Sequence, residues 1–171
     1  MHNFPHRPAG MFGTGVGPAM AYADRFVIRI RGRGGHAAMP QYADDVIVAG
    51  SQLVGAFQSI VSRRRDPMNP AVISVTRFAA GSAYNVLPGE AELWGTLRVL
   101  DDSLAEQLIA EMARQCRLIG EAMGVEVEAQ LGLDAYPVCV NDRGATEFAV
   151  SVMEELVGPE NVEADATAVL G

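Results

Sequence analysis

A stretch of roughly 110 residues in which the apolar pattern switches between a period of two and a period of 3.6 restricts this chain to a layered α+β fold. Residues 24–31 alternate, with Phe26, Ile28 and Ile30 on one face and Arg25, Arg29 and Arg31 on the other, the spacing of a half-buried strand. From residue 45 onward, Val46, Ala49, Gly50, Leu53, Phe57, Ile60 and Val61 recur at helical spacing. Asp44 or Asp45 is placed to cap that helix, Arg63 to Arg65 suit its last turn, and Asp66-Pro67 breaks it. Two strand patterns follow. One is Val72 to Phe78; in the other, Ala91, Leu93, Leu97 and Val99 face in while Glu90, Glu92, Trp94, Thr96 and Arg98 face out. Gly81 and Pro88-Gly89 punctuate the turn between them. Ser103-Leu104-Ala105-Glu106 reads as a capping box for a second helix with a stripe of Leu104, Leu108, Met112, Ile119 and Met123, ending at Gly124. Val125, Val127, Ala129 and Leu131 supply a fourth strand.

The order βαββαβ predicts a ferredoxin-like sandwich over residues 23–135: a four-stranded antiparallel sheet with both helices on one face. The opposite face then carries Arg29, Trp94 and Arg98. Val72 to Thr76 holds no charge, so as an edge strand it invites pairing with another chain. The flanks, 1–22 and 136–171, offer too little to close a core of their own. They read as edges of a larger domain into which the sandwich is inserted.

Composition narrows the function classes. The chain has 171 residues, 49% hydrophobic and 20% charged, with a net charge of −8, ordinary for a globular protein. Nine Arg and four acids lie in residues 1–89, against four Arg and seventeen acids in 90–171. That balance disfavours nucleic acid as a partner. Cys116 and Cys139 have no metal-type spacing, and no apolar run is long enough to cross a bilayer, so a cytoplasmic protein with no membrane partner is the expectation.

Few residues are candidates for chemistry. His36 lies in Arg31-Gly32-Arg33-Gly34-Gly35-His36-Ala37-Ala38-Met39-Pro40, a glycine-rich turn directly after a strand. It is either a turn residue or a hydrogen-bond donor to an oxyanion, worth about 3 to 4 kcal/mol in a transition state. Asn85, in Tyr84-Asn85-Val86-Leu87-Pro88, is a turn asparagine or an amide gripping a substrate carbonyl or carboxylate. Arg98, ending Gly95-Thr96-Leu97-Arg98, is a solvated surface residue or a carboxylate clamp. His2 and His6 cannot form a helical pair because Pro5 and Pro8 intervene, and without a nearby Cys, Asp or Glu they cannot complete a metal site. Gly13 to Pro18 lacks the Lys-Ser/Thr and the helix of a phosphate loop.

These segments, with Met1-His2-Asn3-Phe4-Pro5, the Gly17-Pro18-Ala19-Met20 lead-in to Asp24, and Asp45, together resemble the metal-dependent amidohydrolases that include hippurate hydrolase and the auxin-conjugate hydrolases, relatives of aminoacylase and the dimetal carboxypeptidases. The resemblance implies an α/β metallohydrolase domain binding two divalent ions (zinc, manganese, cobalt or nickel) with an inserted ferredoxin-like lid that forms a homodimer. It implies hydrolysis of a small-molecule N-acyl amino acid by a metal-activated water. By position, His2 resembles a metal ligand and His36 the lid histidine that stabilises the oxyanion in the partner subunit's site. Asn85 and Arg98 resemble lid residues that bind substrate. Gln41 stands where the family often has a second histidine, and Val46 where Pro usually follows Asp45. The family's remaining metal ligands and its glutamate base have no counterpart in these residues, so the expectation is a fragment, inactive alone and holding no metal. The alternative is a free-standing ferredoxin-like dimeric module that binds a metabolite.

Overall fold

The structure, a computed structural model, describes residues 3–4 and 7–170. In chain order its elements are β1 (Phe12–Gly13), β2 (Gly17–Met20), β3 (Tyr22–Arg31), β4 (Gly35–His36), α1 (Val46–Arg63), β5 (Ala71–Ala80), β6 (Val86–Leu87) and β7 (Glu90–Val99). They continue with α2 (Asp102–Met123), β8 (Glu126–Gln130), β9 (Cys139–Asn141), α3 (Arg143–Val157) and β10 (Val162–Glu163).

The four longer strands expected from alternation form one antiparallel sheet in the order β5-β7-β3-β8. Phe26, Ile28 and Ile30 of β3, and Ala91, Leu93, Leu97 and Val99 of β7, are buried beneath the helices. Of the α1 positions picked out by helical spacing, Val46, Ala49, Gly50, Leu53, Phe57 and Ile60 are buried, with Val61 packed at the margin. Phe57 meets Phe26 edge to face at 5.8 Å, so one aromatic pair joins helix layer to sheet. A Cβ at Gly95 would collide with the Phe26 ring and the Ser74 carbonyl, which is why β7 has no side chain at that point.

Asp45 caps α1, accepting from Ile47 N and Val48 N at 3.0 Å. The cap of α2 differs from expectation. Asp101, not Ser103, is the N-cap, and its carboxylate accepts from both Ser103 N and Ser103 Oγ. A carboxylate two residues upstream is the stronger acceptor for a helix N-terminus than the serine hydroxyl of the expected box. The helix stops at Gly124 as predicted, in the left-handed conformation at φ 68°. Leu104, Leu108 and Met112 are buried, Ile119 and Met123 lie at the core margin, and Cys116 joins them inside.

β5 is an edge strand, and the ladder is broken midway by a register shift between Val75 and Arg77. The helix-free face carries a chain of exposed ion pairs running from Arg77 through Glu92, Arg29 and Glu128 to Arg31, with Arg77 also over Trp94 at 4.2 Å. The flanks form two small ladders, β2 with β9 and β1 with β10. Arg7 pairs with Glu163, and Asn141 Nδ2 donates to Gly15 O at 2.9 Å. α3 is capped by Asp142 but buries only Thr146; Phe148 is 72% and Leu156 71% exposed.

Candidate functional site

His36 is positioned by what happens after β3. Gly32 N donates to Gly89 O at 2.9 Å, turning the chain across the start of β7. Arg33 then grips Asp44 through Nε and Nη2, at 2.9 and 3.0 Å, while its own amide donates to the same carboxylate. This fork closes the 33–44 loop at its base. Held first by the Arg33 side chain and then by the Arg33 amide, the Asp44 carboxyl is lowered to about 2. A Cβ at Gly34 would lie 2.8 Å from Leu87 O, so the loop backbone rests directly on β6.

That contact creates a two-rung antiparallel ladder, Gly35 with Leu87 and His36 with Val86, extended by Ala37 N donating to Asn85 O at 3.0 Å. His36 therefore stands opposite Val86, and Asn85 lies one rung further on, beside Ala37. Both are exposed. The imidazole Nδ1 accepts from Ala38 N at 3.1 Å, which leaves Nε2 as the proton-bearing nitrogen on an exposed ring. A neutral imidazole fixed in this tautomer can donate to a developing oxyanion without first gaining a proton. The β4–β6 ladder leaves no trace in the sequence pattern because two residues cannot display a period.

Arg98 lies elsewhere. In the β3/β7 register, Glu90 sits opposite Arg31 beside the His36 loop, whereas Arg98 sits opposite Ala23. Eight residues of strand put it about 26 Å away. There it is half-buried on the helix-free face, its Nη1 donating to Leu97 O at 2.9 Å and Asp24 O at 3.2 Å. Within one copy, then, His36 and Asn85 lie one rung apart at one end of the sheet, and Arg98 lies at the other. His2 lies outside the described residues. Among those described, no three His, Cys, Asp or Glu side chains come together as metal ligands. No helix is long and apolar enough to cross a membrane.

Neither of two open clefts touches these residues: one of about 410 Å³ lies between α2 and β8, the other of about 620 Å³ between the end of α1 and the start of α2. The candidate groups are presented outward rather than gathered in a cavity. Residues 22–122 match the family model described as the peptidase dimerisation domain of the M20 group. The chain belongs to the M20 family. It is 47% identical over 135 residues to an N-acyl-L-amino acid amidohydrolase of Geobacillus stearothermophilus, covering 79% of this chain and 36% of that protein. It is 38% identical over 162 residues to the hippurate hydrolase of Campylobacter jejuni, covering 95% and 42%. A solved dinuclear metal-binding peptidase of the M20 family from Bacillus subtilis superposes with a TM-score of 0.74 at 28% identity, covering 99% of this chain and 41% of its own. The M20 chain thus spans about two fifths of the length of these relatives.

Proposed function

We propose that this M20 chain is the lid-bearing part of a metal-dependent amidohydrolase that cleaves N-acyl amino acids of the hippurate type. Residues 23–135 are the dimerising lid, and 1–22 and 136–171 belong to the catalytic domain. In that reading His36 donates Nε2–H to the oxyanion, Asn85 holds the substrate carbonyl or carboxylate, and Arg98 clamps the substrate carboxylate. His2 is a ligand to one of the divalent ions, which the complete protein holds and this segment alone does not.

The observation that carries the reading is the separation of the two half-sites. His36 and Asn85 occupy one end of the sheet and Arg98 the other, while β5 is an edge free to pair. A twofold axis near the middle of β5 sets a second copy antiparallel to the first. Each copy's His36 end then faces its partner's Arg98 end, and the three groups converge twice per dimer.

Subunit complementation tests this. In the full-length protein, His36→Ala should lower kcat by about 10²–10³-fold and leave the dimer intact. Arg98→Ala should raise KM. Assayed at substrate far below the raised KM of Arg98→Ala, where each variant alone turns over little, the two co-refolded variants should restore about a quarter of wild-type activity, because half the dimers are mixed and each mixed dimer keeps one whole site. No restoration would mean that each site is built within one chain.

A further inference from the structure

Asp24 is the one charged side chain among the described residues that is buried, at 4% exposure. It occupies the same inward parity as Phe26, Ile28 and Ile30, where an apolar side chain would serve packing. No Arg or His among the described residues forms an ion pair with it. Its carboxylate instead accepts from three main-chain amides: Oδ1 from Arg25 N at 2.7 Å and Asp134 N at 3.4 Å, and Oδ2 from Gly132 N at 2.8 Å. A buried carboxylate is tolerated where such donors replace its water.

Two of those amides belong to the turn that leaves the sandwich after β8. Alongside, Ala23 and Tyr136 exchange both main-chain hydrogen bonds, at 2.9 and 2.8 Å, and Arg25 pairs with Asp134. The incoming and outgoing crossings between sandwich and flank are therefore bound edge to edge. The Asp24 carbonyl meanwhile accepts from Arg98 Nη1.

We infer that Asp24 is a positioning residue: it ties the two crossings into one ribbon and, through the same residue's carbonyl, sets where the Arg98 guanidinium stands relative to the flank. The link to substrate binding rests on the clamp role proposed for Arg98; the staple itself does not.

Asp24→Asn keeps the side-chain size and one acceptor oxygen but sets an NH₂ group against a main-chain N–H. In the full-length protein it should speed hydrogen exchange at the Gly132 amide by about tenfold or more. It should also raise KM for an N-acyl amino acid about tenfold with kcat held within about twofold. A merely structural role would instead reduce the amount of active enzyme at unchanged KM. Faster Gly132 exchange with KM unmoved overturns the positioning role; unchanged exchange overturns the staple. If the variant does not fold, the wild type still decides the staple: its Gly132 amide should be protected like those of β3, and exchange at the rate of an open loop overturns it. Arg98→Ala separates the two readings, since KM unmoved there removes the clamp while Gly132 exchange continues to report on Asp24.

Discussion

The sandwich and its flanks come from one chain yet solve burial differently. Every buried apolar side chain of the described residues lies between Phe26 and Val125, packed between the sheet and α1 and α2. The flanks have comparable secondary structure, with caps and ladders in place, but α3 turns Phe148, Val152 and Leu156 outward, three positions on one helical stripe. Hydrogen bonds and caps thus suffice to shape a helix, while only an opposing apolar layer makes it part of a core.

The sharpest way to break this contrast is a matched pair of truncations. Phe57→Ala should cost about 3–5 kcal/mol in chemical denaturation, because it deletes the aromatic partner of Phe26 from a filled core. Phe148→Ala should stay within about 0.5 kcal/mol in this chain, and a larger loss would show that α3 already packs on something. The two thiols give a second, smaller contrast. Burial pushes the Cys116 thiol up to about 12, whereas Cys139 is exposed on β9. Disulfide-exchange labelling at neutral pH should modify Cys139 at least about a hundredfold faster than Cys116. Equal rates would mean that α2 opens as readily as the flank. The gentlest test concerns the His36 loop. Asp44 is held at about 2, below its unfolded value of about 3.9, so the support it gives through Arg33 is complete above about pH 4 and is lost as the pH falls towards 2. Amide exchange between residues 33 and 44 should quicken across that interval while β3 and α1 stay protected.

The sandwich was readable because strands buried on one face and helices with one stripe write their periods into five or more residues at a time. All six buried α1 positions follow from spacing alone. The α2 cap was misplaced because Asp101 and Ser103 offer overlapping signals, and only geometry decides which oxygen meets the free amides. His36 and Asn85 were legible as polar residues in turns rich in Gly and Pro, though their proximity depends on a ladder too short to see. Arg98 was legible as an outward residue, but its distance from His36 follows from strand register, and any meeting between them requires a second copy. Asp24 carried a faint signal, an acid at an inward position of an alternating strand, which burial turned into meaning.

The break in register at the middle of β5 has a consequence for assembly. An unbroken exposed strand accepts almost any extended segment, and each addition exposes a fresh edge, so growth can continue without limit. A strand kinked at Thr76 offers two short half-ladders with an offset between them, matched best by an identical strand running the other way. Two such strands pairing with each other would consume both β5 edges and leave β8, five residues long, as the outer edge of each copy.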